Sequence, residues 1–162
     1  MISADLAWPL LVFAATVAAM EGVANLAHRY VMHGWLWSLH RSHHEPRVGT
    51  FERNDLFALF FAAPSILLIH LGAAGRPLLL AVGLGMTTYG ALYALLHDGL
   101  VHRRFMRART PRAAYLRRLV EAHRLHHATL GKHGAVSFGF LYAPPVEHLV
   151  RELRRKRESM QS

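Results

Sequence analysis

The sequence predicts an all-α fold: an integral membrane helical bundle of about three to four membrane helices, with a cytoplasmic helical cap that holds a histidine-rich dimetal site. Long apolar runs occur in a chain of 162 residues that is 52% hydrophobic, and this length suits a single membrane-embedded domain, residues 1–162. Ten of the 13 histidines form two similar sets at the ends of those runs. The 19 Lys and Arg residues are segregated from the runs, which favours a membrane protein and speaks against nucleic-acid binding. The absence of cysteine excludes disulfides, iron–sulfur clusters and a thiolate-ligated haem.

Three segments have the length and composition of membrane spans, at about 6–27, 56–74 and 78–96. Each is close to the ~20 residues that cross a hydrocarbon core of ~30 Å. No Lys or Arg precedes the first run, so we expect a retained helix there and not a secretory signal peptide. Glu21 is expected at the interface or facing the bundle interior. The tripeptide Gly75-Arg76-Pro77 predicts a tight turn, which makes the second and third spans a hairpin.

This topology places the two metal-binding segments, 28–44 and 97–127, on one side of the membrane. Segment 28–44 lies between the first two spans, and segment 97–127 follows the third. Of the 19 Lys and Arg, only Arg76 lies on the opposite side. The positive-inside rule makes the histidine side cytoplasmic, with the N-terminus outside and the C-terminus inside.

Each histidine set is an H-x-x-x-x-H pair followed by an H-x-x-H-H triplet. Residues three and four apart share a helix face, so each triplet projects to one side. Residues five apart diverge by about 140° on a straight α-helix, so either the second member lies where the helix frays or the pair binds different ions. Of the other histidines, His70 is expected to be structural or interfacial, His148 to lie on a surface helix, and His133 has no assigned role. The ten candidate metal ligands are His28, His33, His40, His43, His44, His97, His102, His123, His126 and His127.

Polar residues beside the histidines are candidates to orient them. Asp98 follows His97 directly, and Asn54 and Asp55 lie at the start of the second span. Each can accept a hydrogen bond from the second nitrogen of a ligand imidazole. Helix capping is the alternative for Asn54 and Asp55.

Helix-boundary signals surround the second triplet and the C-terminus. Thr110 and Pro111 predict a helix start, and Gly131 predicts a stop. Residues 146–157 predict an amphipathic helix whose basic face lies on anionic lipid.

Ten imidazoles are too many for one zinc ion but suit two ions. Two redox-active irons would activate dioxygen, with electrons from a partner protein because no flavin, haem or iron–sulfur motif is present. A basic face formed by six arginines suits an acidic carrier such as a ferredoxin. Binding of lipid headgroups is the alternative role for the same arginines. A membrane metal-binding or transport protein is a competing class, although ligands beyond the span ends argue against transport. The basic face comprises Arg103, Arg104, Arg107, Arg109, Arg117 and Arg118.

The chain resembles the bacterial β-carotene hydroxylases, within the membrane fatty acid hydroxylase and sterol desaturase superfamily. The histidine boxes alone indicate the superfamily. The FERND-type segment, HDGLVH and the VSFGFLYAPP tail indicate the carotenoid branch. The matching stretches are HRYVMHGWLWSLHRSHHEPRVGTFERNDLFA, HDGLVHRR, RRLVEAHRLHHA and VSFGFLYAPP.

The resemblance implies hydroxylation of the β-ionone ring at carbon 3, giving β-cryptoxanthin and then zeaxanthin. It implies a non-haem di-iron centre held by the ten histidines, dioxygen as co-substrate and electrons from reduced ferredoxin, in a bacterial inner membrane. Zinc is possible in a purified sample. The alternative is a hydroxylase or desaturase of another membrane lipid, a fatty acyl chain or a sterol. The chain departs from the family at residues 130–135, where the family has acidic residues and a cysteine, and we expect this stretch to be peripheral.

Overall fold

The computed structural model describes residues 4–46, 49–106 and 111–161, and every regular element in these ranges is helical. The all-α prediction is therefore confirmed for the part of the chain that is described. In the first half, α1 (Ala4–Leu26) continues as a π-helix over Ala27–Trp35, followed by α2 (Trp37–His44) and a 3₁₀ turn (Arg53–Asp55). In the second half, α3 (Leu56–Ala73) is followed by α4 (Pro77–Tyr93), which continues as a π-helix over Ala94–Val101, and then by α5 (Ala114–His127) and α6 (Val146–Gln161).

Among the described residues, three helices are long and apolar enough to cross a membrane: Leu6–Trp35, Arg53–Ala73 and Pro77–Val101. Their number and order agree with the three predicted apolar segments, and the first and third are longer than predicted because π-helical segments continue the α-helices. Large apolar side chains on these helices point outward; Trp8 is 67% exposed and Ile66 is 66% exposed. An apolar exterior of this kind is suited to lipid.

Small residues bring the spans together. The turn between α3 and α4 contains Gly75 at φ +91°, a left-handed conformation that favours glycine, and Pro77 occupies the first turn of α4. Gly72 has no room for a Cβ because the backbone of Leu80 lies against it. Gly85 of α4 approaches α1 closely: a Cβ there would meet the side chain of Thr16 at 2.7 Å. Close backbone approach at small residues is how helices pack in lipid, where the hydrophobic effect does not drive association.

The remaining elements form a cap at one end of the bundle. Its core includes Leu119 and Ala122 of α5, and Leu149 and Leu153 of α6. The apolar stripe predicted for the last helix is therefore packed against α5. Helix α5 begins at Ala114, with Ala113 as N-cap, so the predicted start is three residues early; Thr110 lies outside the described residues.

Candidate metal centre

The two H-x-x-x-x-H pairs lie at the two π-helical segments: His28, His33 and His97 are within them, and His102 is the C-cap of the second. A π-helix closes its hydrogen bonds between residues five apart, and the amide of His102 donates to the carbonyl of His97 at 2.9 Å. This winding returns residues five apart to nearly the same face. The structure agrees with the predicted alternative in which the second histidine lies at a helix end: His33 is followed directly by the non-helical Gly34, and His102 is the C-cap residue after the second π-helix. His33 also lies in the same cluster as His28. The divergence of about 140° expected for residues five apart on an α-helix does not apply here, because the helix changes from α to π just before His28 and His97.

Four buried histidines form a first quartet, defined as His28, His33, His40 and His126. Their candidate ligand nitrogens all lie within 4.8 Å of one another. The Nε2 atoms of His28 and His40 are 3.1 Å apart, as are those of His33 and His126. Four separate parts of the fold meet here. The rings come from the first π-helix (Ala27–Trp35), from α2 and from α5, and the chain that follows α5 contacts them.

A second quartet lies beside the first and comprises His43, His102, His123 and His127. The Nε2 of His123 is 2.8 Å from the Nε2 atoms of both His102 and His127. His97 adds a fifth ring, since its Nε2 lies 3.1 Å from that of His43. Nine of the ten predicted histidines thus meet at one end of the bundle, and the tenth, His44, lies against both quartets.

The donor set fits two metal ions. Metal–nitrogen bonds of about 2.0–2.1 Å place neighbouring ligand nitrogens roughly 3 Å apart, which matches the observed spacing. The Nε2 of His44 is buried and has no hydrogen-bond partner among the described residues, a condition that is costly unless a ligand satisfies it. Its ring centroid lies 4.9 Å from that of His33 and 4.4 Å from that of His127, between the two quartets.

Backbone carbonyls hold the second nitrogen of four histidines. A carbonyl only accepts, so each Nδ1 carries the proton and Nε2 is left with a free lone pair that faces the cluster. All four carbonyls belong to the non-helical segment that follows α5, residues 129–142, called here the belt. The donor–acceptor pairs, each at 3.0 Å, are His28 with Phe138, His33 with Lys132, His44 with Thr129 and His126 with Val136.

Polar side chains hold three more histidines. Nδ1 of His40 donates to Oδ1 of Asn54 at 2.7 Å. Nδ1 of His97 donates to Oδ1 of Asp98 at 2.8 Å, and Nδ1 of His43 donates to Oε2 of Glu52 at 3.0 Å. The arrangement fixes the tautomer of these rings as well.

Burial also keeps the imidazoles neutral. It lowers the pKa of His40 and His102 to about 3, that of His44 to about 4 and that of His127 to about 2, with neighbouring histidines adding to the effect. The pKa values of His43, His123 and His126 fall well below the usual 6.5 for the same reasons. Neutral imidazole is the form that binds a metal.

Comparison with known proteins agrees with this geometry. The profile of the fatty acid hydroxylase family matches residues 13–149. The chain belongs to the fatty acid hydroxylase family. It is 57% identical over 149 residues to the beta-carotene hydroxylase of Pantoea ananas, covering 92% of this chain and 85% of that protein. It is 49% identical to the beta-carotene hydroxylase of Paracoccus sp. (strain PC1), covering 90% of each.

The similarity extends to plants and confirms the resemblance found in the sequence. The chain is 39% identical to the chloroplastic beta-carotene 3-hydroxylase 2 of Arabidopsis thaliana, covering 89% of this chain and 52% of that protein. No solved structure matches the chain significantly. Within the fatty acid hydroxylase family, the beta-carotene hydroxylases are the relatives that this chain resembles at 49–57% identity.

Two of the three polar residues predicted to orient the histidines do contact them. Asn54 and Asp98 contact histidines, whereas Asp55 forms an ion pair with Arg104 at 2.6 Å. The carboxylate of Asp55 also accepts from the amide of Glu52, an interaction typical of a helix cap. Glu52 was not predicted; its acidic side chain three residues before Asp55 is a capping-box signal that could have drawn attention to it.

Residues 130–135 are peripheral only in part: Leu130, Gly131 and His133 are exposed, but the stretch also contacts a ligand histidine, which the sequence did not predict. The carbonyl of Lys132 holds His33 at 3.0 Å, and Ala135 is buried. Because the contact uses the backbone, side chains at these positions can differ between relatives while the contact remains. His133, His70 and His148 are exposed.

Clefts reach the second quartet from more than one direction. One cleft of about 480 Å³ is lined by His43, His102, His127 and Glu52, among others. A narrow apolar cleft on another side ends at His97 and His123 and is lined by Leu96, Leu100, Leu119, Ala122, Phe140 and Ala143, among others.

The predicted basic face is only partly free for a partner. Arg104 is engaged with Asp55, whereas Arg103, Arg117 and Arg118 are exposed. Arg107 and Arg109 lie outside the described residues.

Proposed function

We propose that the chain is a carotenoid β-ring 3-hydroxylase, which converts β-carotene through β-cryptoxanthin to zeaxanthin. The observation that carries the proposal is the pair of histidine quartets, one buried and one partly buried, at the end of an apolar three-helix bundle. The relatives at 49–57% identity are named beta-carotene hydroxylases, and this supports the choice of substrate.

We propose that all ten histidines bind two iron ions, which supply the activation of dioxygen. Each hydroxylation consumes one dioxygen, two electrons and two protons. One oxygen atom enters a carbon–hydrogen bond of the ring, and the other leaves as water. The protein's own contribution is to hold ten neutral imidazoles in place: seven have their Nδ1 fixed by an acceptor, so little reorganisation is needed for Nε2 to bind.

The apolar cleft that ends at His97 and His123 is the proposed site of the ring. It holds only about 20 Å³ in this structure, so its lining residues must move apart for the ring to enter. Leu96, Leu100 and Phe140 line the cleft and would then contact the apolar substrate. A carotenoid reaches this cleft from the bilayer. Its second ring is hydroxylated after the molecule is released and turned round.

The electrons are proposed to come from a reduced ferredoxin, which binds at the exposed arginines Arg103, Arg117 and Arg118. The positive-inside rule supports a cytoplasmic position for the cap in a bacterial inner membrane, with the N-terminus outside and the C-terminus inside. The chain acts in this proposal as a single domain, residues 1–162.

Expression in a bacterium that accumulates β-carotene tests the proposal. We expect conversion to zeaxanthin, measured by chromatography of extracted pigments. His126→Ala should abolish conversion, because His126 is fully buried within the first quartet, whereas the exposed His70→Ala should not. Unchanged β-carotene with iron-loaded protein present would refute the carotenoid assignment. Hydroxylated fatty acids in the same extracts would favour another lipid substrate, as the family's name allows.

A further inference from the structure

Glu21 lies in the first membrane helix and accepts four hydrogen bonds. Its Oε1 accepts from the amides of Phe140 at 2.8 Å and Tyr142 at 3.0 Å. Its Oε2 accepts from the amide of Leu141 at 3.0 Å and the hydroxyl of Tyr89 at 2.8 Å. An ionisable side chain within a membrane segment is costly and usually serves a specific role. Here three of the four donors are consecutive backbone amides of the belt.

The belt needs such an acceptor because it is not helical. Backbone amides at membrane depth must be satisfied by the protein, and Glu21 satisfies three of them. Glu21 lies seven residues before His28, about 10 Å along the helix axis at 1.5 Å per residue. The hydrogen bonds to Glu21 therefore hold the C-terminal end of the belt about 10 Å from His28 along the axis of the first helix, toward the centre of the bundle. Gly139 permits this approach: a Cβ there would meet Oε1 of Glu21 at 2.6 Å and the carbonyl oxygen of Tyr142 at 2.7 Å.

The fastened end of the belt leads directly to the first quartet. Two residues before Phe140, the carbonyl of Phe138 accepts a hydrogen bond from Nδ1 of His28. Four residues before Phe140, the carbonyl of Val136 accepts one from Nδ1 of His126. The ring of Phe140 stacks on that of His28, with centroids 5.1 Å apart and planes 10° apart. A shift of the belt would move the acceptors of these two ligands together.

The second quartet does not depend on the belt in this way. Its His43 is held by Glu52, and the neighbouring His97 is held by Asp98. Both acceptors are side chains that lie outside the belt. Phe140 of the belt also contacts the ring of His97, with centroids 5.3 Å apart, but the hydrogen bonds of His43 and His97 within the described part of the chain do not involve the belt. Displacement of the belt should therefore disturb the first centre more than the second.

We propose that Glu21 is a positioning residue for the first metal centre, which it serves by fixing the belt whose carbonyls orient His28, His33 and His126. This inference rests on the proposed function, because it requires that the two quartets bind metal. Loss of an outer partner of a metal ligand typically lowers metal affinity about 10–100-fold. The expected signature is the selective weakening of one of two bound ions.

The decisive variant is Glu21→Gln in the full-length protein, which keeps the shape but turns an amide NH₂ toward hydrogen-bond donors. We expect the wild type to bind two Co²⁺ ions per chain and the variant to bind one of them about 10–100-fold more weakly in chelator competition. The visible absorption of one Co²⁺ ion should change more than that of the other. Glu21→Asp, which keeps the acceptors, should recover part of the affinity. Glu158→Gln, at an exposed carboxylate of α6, is the matched control and should bind as the wild type does.

Gly139→Ala tests the same contact from the belt and decides the question if Glu21→Gln does not fold. Two ions bound with wild-type affinity and spectrum would overturn the inference. Equal weakening of both ions would also overturn it, since that indicates general loss of structure. A wild-type protein that binds no metal would instead refute the dimetal function itself.

Discussion

The carboxylate of Glu52 accepts a hydrogen bond from Nδ1 of His43 at 3.0 Å, and the two side chains are only 9% and 2% exposed. Asp98 accepts from the neighbouring His97 in the same way. By contrast, the first quartet has neutral acceptors: belt carbonyls and the amide oxygen of Asn54. A carboxylate partner makes an imidazole a stronger electron donor. The two quartets therefore offer inequivalent environments to otherwise similar ligands.

Removal of the Glu52 carboxylate should weaken the second centre. We expect Glu52→Ala to lower the affinity for one of two bound ions about 10–100-fold, because His43 loses the group that fixes its tautomer. Glu52→Gln should have a smaller effect, since it keeps an acceptor oxygen but loses the charge. Chelator competition on the purified protein in detergent measures both affinities.

The control for this series is Glu121→Ala. Glu121 is a half-exposed carboxylate of α5, paired with Arg124 at 3.4 Å. It should leave both affinities unchanged. An affinity in Glu52→Ala equal to that of the control would show that the His43 contact has no effect on metal binding.

Asn54 offers a matched pair of variants at the first quartet. It is 7% exposed, and Asn54→Leu removes the acceptor of His40 while keeping the same branched shape in a somewhat larger side chain. A buried donor left without a partner costs about 1–3 kcal/mol, so we expect weaker metal binding and lower thermal stability. Asn54→Asp retains the acceptor oxygen and should bind both ions. Equal binding by the Leu and Asp variants would contradict a role for this hydrogen bond.

The sequence predicted the spans and the histidine clusters because both depend on simple periodicity. Twenty-residue apolar runs and three- or four-residue spacings, such as His123 with His126, have one structural interpretation each. The π-helices were not predictable from these rules: the α-helical angle separates His28 from His33, whereas the structure brings them together.

The acceptors of the imidazole Nδ1 atoms were only partly predictable. Asp98 is adjacent to its histidine in sequence, and the pairing follows from that proximity. Phe138 contributes its backbone carbonyl to His28 from 110 residues away, and Lys132 contributes its carbonyl to His33 from 99 residues away. Every residue has a carbonyl, so such contacts leave no signal in residue identity.

Close packing between α3 and α4 predicts a sharp contrast between two glycines. Gly72→Ala places a Cβ against the backbone of Leu80, which cannot move aside as a side chain does. Overpacking of this kind costs about 1–3 kcal/mol. Gly90→Ala has nothing within 4 Å of the added Cβ and should be tolerated. Thermal unfolding in detergent measures both, and equal melting temperatures would contradict the packing shown here.

The metal-free protein should lose stability as the pH falls below about 6.5. In the folded state the pKa of His40 is about 3 and that of His44 about 4. Below pH 6.5 the unfolded chain therefore binds more protons than the folded state, and the free energy of unfolding falls. Each such histidine contributes up to about 1.4 kcal/mol per pH unit until the folded pKa is reached. Bound metal should oppose the loss by competing with protons for the same nitrogens. Melting temperatures of metal-free and metal-loaded protein from pH 8 to pH 5 test this; a metal-free protein whose melting temperature does not fall below pH 6.5 would show that these imidazoles are not held neutral by burial.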